Sequence, residues 1–227
     1  MFNRLLAEKM YGVSNESDLR KKLYGTRTDL TDDEFKCICD TLSRFSNPKY
    51  LEIGVYFGGN FFKVASFLKN KFDSYHVTGV DLFESIVKYS ATGVSLTHDI
   101  LNKWNILNVA YESDLSNFLK ESGVESFSLV KGVSDIAVRE IDDIFDVMFI
   151  DGNHTFEQTL KDAESCLKKS KKGSFLIFHN ASNSIQPDPQ YIEKDGGPWA
   201  VCEKLKEDVR LKYIGLFDRC AIFEVAK

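Results

Sequence analysis

From residue 48 onward the apolar and polar positions switch between two rhythms. Short, nearly continuous apolar runs occupy residues 50–53, 75–83, 127–131, 145–150 and 174–178. Between them, apolar side chains recur every three or four residues over 61–68, 99–119, 136–141, 156–169 and 199–209. The runs predict buried parallel strands, and the stretches between them predict helices lying on the faces of the sheet. Two last apolar segments, 211–217 and 220–225, flank Asp218-Arg219 and predict an antiparallel pair that closes the sheet edge. Strand and helix in alternation, then a terminal hairpin, predict an α/β fold. Its centre is a Rossmann-like, doubly wound seven-strand sheet with one antiparallel strand near the C-terminus.

Residues 1–47 carry only the helical rhythm, through Leu5, Leu6, Met10, Leu19, Leu23, Phe35, Ile38, Leu42 and Phe45. Thr31-Asp32-Asp33-Glu34 has the spacing of a capping box, and Asn47-Pro48 stops the helix that follows it. The chain therefore divides into a helical extension over 1–47, read as a lid or as a packing helix on the sheet, and an α/β domain over 48–227. Residues 84–98 and 181–198 read as polar loops.

The first strand runs into Glu52-Ile53-Gly54-Val55-Tyr56-Phe57-Gly58-Gly59-Asn60, a glycine turn that opens a helix. Glycine lets the backbone take positive φ and lets a ligand approach the main chain closely. The helix behind the turn points unpaired N–H groups at it, and open α/β sheets hold their ligands at such junctions. The spacing departs from the dinucleotide fingerprint G-x-G-x-x-G, because Tyr56 stands where the second glycine would let a pyrophosphate lie against the backbone. Glu52 offers a carboxylate to a cationic amino group instead. A ligand with an amino-acid end fits this turn better than one with two phosphates. Asp81 closes the second strand, where a carboxylate can accept from ribose hydroxyls. Ser134, Asp151, His154, His179 and Asn180 also stand where apolar strands stop, so all these polar groups fall on one side of the sheet.

At 227 residues with 43% apolar and 13% aromatic content, the chain suits one large domain or one domain with an appendage. A net charge of −5 removes the electrostatic case for non-specific nucleic-acid binding. No apolar run reaches the length of a membrane span, and the charged N-terminus makes a poor signal peptide. Cys37, Cys39, Cys166, Cys202 and Cys220 are odd in number and scattered, as expected of reduced thiols in a cytoplasmic protein. Cys37-Ile38-Cys39 lacks a second pair at zinc spacing. Lys168, Lys169, Lys171 and Lys172 read as a solvated helix end, and Phe61-Phe62 as core behind the turn helix. Trp199 reads as pocket wall or core, and His76 and His98 as structural or solvent-facing.

Over roughly residues 48–226 the chain resembles the class I S-adenosylmethionine-dependent methyltransferases. The stretches LEIGVYFGGN and KGVSD are similar to the small-molecule O-methyltransferases of the catechol and caffeoyl-CoA type. The stretch IDGNHTFEQTLKDAESCLKKSKKGSFLIFHN is similar to the macrocin-type sugar O-methyltransferases. The resemblance implies S-adenosylmethionine as cofactor. Glu52 and Gly54 would hold its methionine end, with Tyr56, Gly58, Gly59 and Asn60 lining it. Asp81 would take the ribose hydroxyls, Leu82 or Phe83 would pack on adenine, and Val133, Ser134 and Asp135 would border the ring. Asp151 would face the sulfonium and the substrate.

In catechol-type enzymes that aspartate is also a metal ligand, partnered by an Asp-Asn pair at the next strand end. Here the pair is His179-Asn180. The departure counts against magnesium, which prefers oxygen ligands. It leaves Asp151, His179 and Asn180 as candidate ligands for a metal that accepts imidazole. The implied reaction is O-methylation of a small hydroxylated metabolite, a sugar or a phenol. It needs an aligned acceptor oxygen and a base for its proton. His154 lies where catechol-type enzymes place their base and is the favoured candidate, with His179 positioning substrate or binding metal. Two alternatives stand beside this reading. Against a nicotinamide-binding oxidoreductase stand Tyr56 and the terminal strand pair. Against a non-catalytic binding protein that keeps the fold stands the intact set of Glu52, Asp81 and Asp151. A small-molecule acceptor suits the acidic balance better than nucleic acid or a membrane surface.

Overall fold

The computed structural model describes residues 30–83, 111–182 and 197–227, together with Gly12, Ser14, Asn15, Asp18, Tyr24 and Thr28. The elements in chain order are α1 (Asp32–Leu42), β1 (Lys49–Ile53), α2 (Gly59–Lys71), β2 (His76–Asp81), α3 (Tyr111–Glu121), β3 (Phe127–Lys131) and α4 (Ser134–Glu140). They continue with β4 (Phe145–Ile150), α5 (Phe156–Lys168), β5 (Ser170–Phe178), α6 (Gly197–Leu205), β6 (Leu211–Phe217) and β7 (Cys220–Val225). The loop expected at 84–98, the start of the helix expected from 99, most of the 181–198 loop, His98 and the first apolar positions of the N-terminal extension lie outside the described residues.

The strands form one seven-stranded sheet in the order β3-β2-β1-β4-β5-β7-β6. β1 to β5 run parallel, and β7 pairs antiparallel with both β5 and β6. The strand order reverses between β1 and β4, which places a crevice at their carboxyl ends. The expected antiparallel pair is present, but β7 is inserted beside β5, and β6 takes the edge.

Alternate residues of each strand feed two cores. Tyr50, Val77, Val147, Phe149 and Ile177 pack under α1, α2 and α3, against Ile38, Leu42, Phe61, Val64, Leu115 and Leu119. Leu51, Ile53, Val80, Met148, Ile150 and Phe178 pack under α4, α5 and α6, against Val138, Ala163, Cys166, Val201 and Leu205. All six residues of β4 are buried, which is why its sequence shows a continuous apolar run and no alternation. Each fully buried large aliphatic or aromatic side chain contributes about 1.5–3 kcal/mol.

Helix α1 belongs to the first of these cores. Ile38 and Leu42, one turn apart, are fully buried in it. Its start is the expected capping box: Glu34 N donates to Thr31 Oγ1 (3.2 Å), and Thr31 N donates to Glu34 Oε2 (2.8 Å). Two boundaries differ from expectation by four residues. β5 begins at Ser170, four residues early, because Gly173 at φ +84° and the Ser174 hydroxyl on Phe145 O absorb a register shift against β4. α6 ends at Leu205, short of 209, because Asp208 turns the chain, accepting from Arg210 N (2.8 Å) and Leu211 N (2.9 Å). The lysine group after α5 is engaged in part: Lys169 Nζ donates to Ile141 O, and Lys171 pairs with Asp146 at 2.7 Å.

Candidate active site

Backbone hydrogen bonds hold the carboxyl ends of the central strands level. Gly132 N donates to Asp81 O, Gly54 N to Val80 O, Asp151 N to Ile53 O and His179 N to Ile150 O, at 2.9–3.1 Å. The side chains that follow β1, β2, β4 and β5 are thereby delivered to one edge. Gly54 makes this possible. It sits at φ +87°, and a Cβ there would lie 2.1 Å from the carbonyl oxygen of Asp151. Any side chain would push β1 and β4 apart. At Gly58, the N-cap of α2, φ is +74° and a Cβ would meet Leu115 at 2.4 Å.

Glu52 is buried, 1% exposed, on the α2 side of β1. Its Oε2 accepts from Tyr50 OH (2.7 Å) and Asn60 Nδ2 (2.7 Å), and Oε1 has no hydrogen bond among the described residues. Burial pushes this carboxyl up to about 8. The Tyr50 and Asn60 hydrogen bonds oppose the rise, and the charges of Asp151 and Asp81 add to it. Asp81 holds the turn itself, accepting from Tyr56 N (2.9 Å) and Phe83 N (3.1 Å). Both donors have positive φ, 53° and 42°, a conformation that costs a non-glycine residue roughly 1–2 kcal/mol. Phe83 is turned into the core, so of the two candidate adenine contacts only Leu82 remains at the surface.

The third group gathers around Asp151. One oxygen, Oδ1, faces His154 Nε2 at 3.2 Å and His179 Nδ1 at 3.0 Å. Burial would raise the Asp151 carboxyl, but the two imidazoles more than offset this and hold it well below the usual range. His179 is 2% exposed, and its Nε2 lies 3.5 Å from Glu34 Oε1, reached from α1. Burial lowers the His179 pKa, yet Asp151 and Glu34 together carry it up to about 9. Glu34 is in turn held down to about 2: burial raises it, while His179, Arg219 and Thr31 outweigh that. Arg219, in the β6–β7 turn, donates to Glu34 through Nε (2.8 Å) and Nη2 (2.7 Å). His154 and Asp151, with side chains 26% and 27% exposed, are the accessible members of the set, while His179 and Glu34 are sealed.

Ser134 and Asp135, at the start of α4, are tied to α5. Gln158 Nε2 reaches Asp135 Oδ1 (3.2 Å) and Asp162 Oδ1 (2.9 Å), and Ser134 Oγ donates to Asp162 Oδ1 (2.6 Å). Asp162 is fully buried, and burial pushes it up to about 6. Val133, beside them, is exposed. His76 lies at the other end of β2, between Ser126 and Ser128 at 3.0 Å each, a structural role as expected. Trp199, at the start of α6, is exposed and not core.

Sequence reading missed Glu34 and Arg219 as members of the site. The capping box accounted for Glu34, and a hairpin turn accounted for Arg219. Tyr50, Gln158 and Asp162 were missed because they support the pocket from β1 and α5. For Tyr50 a signal existed, since i and i+2 on a strand share a face and a tyrosine two before a buried glutamate can reach it.

The candidate metal ligands Asp151, His179 and Asn180 do not fit a divalent ion. Both His179 nitrogens face carboxylates, and Asn180 Oδ1 accepts from the Arg219 guanidinium at 3.4 Å, which brings a fixed cation to the place a metal would need. Among the described residues no group of three or more His, Cys, Asp or Glu side chains is arranged to hold one.

A parallel sheet with one reversed strand next to the edge, and a glycine turn backed by acidic strand ends, define a methyltransferase type of fold. The model of the methyltransferase domain family matches residues 51–181, and the chain belongs to that family. No curated protein matches the sequence. Among solved structures, the O-methyltransferase NovP shares 16% identity, with 96% of this chain and 90% of that one covered, at a TM-score of 0.63. An O-methyltransferase from Bacillus cereus in complex with SAH shares 13% identity (99% and 96% covered, TM-score 0.60). TomG from Streptomyces achromogenes, an O-methyltransferase involved in tomaymycin synthesis and solved with SAM, shares 12% (99% and 96% covered, TM-score 0.59). At these identities the likeness is one of fold.

Proposed function

We propose that the protein is an S-adenosylmethionine-dependent O-methyltransferase of a small hydroxylated acceptor, a sugar or a phenol, with His154 as general base. The observation that carries the reading is the Asp151–His154 pair at the end of β4, directly across from the Gly54 turn. The turn suits an amino-acid end. Gly54 lets the end of β4 close against the turn, and Glu52 keeps one oxygen for an ammonium group. Asp81 takes the ribose hydroxyls, and Leu82, Val133, Ser134 and Asp135 frame the adenine. When bound, the sulfonium supplies an electrophilic methyl group.

Asp151 accepts from His154 Nε2–H, which leaves the lone pair on Nδ1. His154 Nδ1 takes the acceptor hydroxyl's proton as the C–O bond forms and the C–S bond breaks, and Asp151 stabilises the imidazolium that results. No step is assigned to a metal, because the nearby donors are committed to one another. The five cysteines, all free and buried, suit a cytoplasmic setting. The test is calorimetric titration of the protein with S-adenosylmethionine, S-adenosylhomocysteine and NADH, followed by a panel of catechols and hydroxylated sugars. Binding of both adenosyl ligands but not NADH, with turnover abolished in His154→Ala, is the expected result. Absence of adenosyl binding overturns the reading.

A further inference from the structure

Glu34 is more than a helix cap. A capping box asks only that its side chain reach back to the N-cap N–H, which is possible at an exposed helix end. Here the carboxylate is fully buried, and a buried charge costs several kcal/mol unless it is paired and hydrogen-bonded. Four N–H groups point at it: Thr31 N at 2.8 Å, and Arg219 N, Nε and Nη2 at 3.3, 2.8 and 2.7 Å. The fifth neighbour is His179 Nε2 at 3.5 Å. The same turn holds the helix a second time, since Thr31 Oγ1 donates to Asp218 Oδ2 at 2.9 Å. His179 cannot turn to solvent, so the orientation of its ring is set by a carboxylate on each side. Asp151 Oδ1 then lies between His179 and His154. A continuous chain of charged contacts thus runs from the N-terminal helix and the β6–β7 turn to the His154 imidazole.

We propose that Glu34, clamped by Arg219, is a positioning residue for methyl transfer: it fixes the His179 ring against Asp151 and so keeps Asp151 aimed at His154. The proposal rests on the reading of Asp151 and His154 given above. It makes docking of α1 part of assembling the site, so that the extension contributes a residue to the machinery as well as covering the sheet. Positioning partners of this kind typically carry about 10- to 100-fold in activity.

The experiment uses the full chain labelled with 15N-histidine and saturated with S-adenosylhomocysteine. The chain has 4 histidines, which makes assignment of the ring signals by single substitution practical. In the wild type, His179 shows both ring nitrogens protonated, Nδ1 hydrogen-bonded to Asp151 and Nε2 facing the Glu34 carboxylate, and His154 shows the Nε2–H tautomer. In Glu34→Gln, the His179 Nε2 signal and the His154 tautomer change, while the S-adenosylhomocysteine Kd stays within about twofold. Turnover of any acceptor found in the panel falls about 10- to 100-fold in kcat with KM for the cofactor unchanged. The double variant Glu34→Gln/Arg219→Gln removes both charges together and avoids leaving the guanidinium unpaired; it shows the same ring changes. Unaltered His179 and His154 signals in both variants overturn the proposal. Failure of the underlying reading looks different, since it appears as loss of cofactor binding in the wild type or as full turnover in His154→Ala.

Discussion

Titration of S-adenosylhomocysteine into the protein between pH 6 and pH 8 isolates the role of Glu52. Burial pushes its carboxyl from an ordinary value of 4.5 up to about 8 in the free protein. The sign follows from linkage. A carboxyl whose folded pKa is raised favours the protonated form, so the free protein loses stability as pH climbs from about 4.5 through about 8. A ligand ammonium at Oε1 favours the ionised form and draws the pKa back down. Binding at pH 6 must therefore expel a proton that is already gone above pH 8. With a pKa of about 8, roughly 1% of Glu52 is ionised at pH 6 and half at pH 8. Apparent affinity scales with the competent fraction, so Kd should improve roughly fifty-fold over this range, or about 2.3 kcal/mol. The ligand ammonium stays protonated throughout, so the change reports the protein. Isothermal titration in two buffers of different ionisation enthalpy should find close to one proton released per site at pH 6 and about half at pH 8. Glu52→Gln should bind more weakly at pH 8 and show no pH dependence. A wild-type Kd constant within twofold from pH 6 to pH 8 refutes the placement of the methionine ammonium on Glu52.

Gly54→Ala should destabilise the fold by several kcal/mol, from about 1–2 for the left-handed backbone and about 1–3 for the collision with Asp151 O. Urea denaturation checks this, and a loss under 1 kcal/mol contradicts the close approach of β1 and β4. His154→Ala should lower kcat by about 10²- to 10⁴-fold while leaving the S-adenosylhomocysteine Kd unchanged, measured by initial rates and calorimetry on the same preparation. Chelation with EDTA, or addition of magnesium or manganese, should change the rate by less than twofold; restoration of a lost rate by one ion would reinstate Asp151, His179 and Asn180 as its ligands. Thr31→Ala should cost about 1 kcal/mol through the lost cap, together with the contact to Asp218, read as a lowered Tm.

Much of the sheet was legible because buried parallel strands and amphipathic helices leave different periods in the sequence, and six of the seven strands begin within a residue of their apolar runs. β5 departs because a glycine-containing bulge lets pairing resume at Ser170, beyond Lys171 and Lys172, residues with no apolar signal. The site divides the same way. Glu52, Asp81, Asp151 and His179 could be named in advance, since each is a polar residue at the end of an apolar run. Glu34 and Arg219 could not: 185 positions separate them, and each already had a sufficient local explanation.

The alternation of elements, the glycine turn, the acidic strand ends and the capping of α1 follow from the order of residues, because these depend on local backbone preference and on burial period. Tertiary structure alone decided that β7 would lie between β5 and β6, that Phe83 would face the core and Leu82 the surface, and that His179 would be sealed between two carboxylates while His154 stayed in reach of solvent. These outcomes depend on which distant side chains share a low-dielectric volume. There an ionised group must find its partner wherever the fold supplies one, and here the partner came from the N-terminal helix.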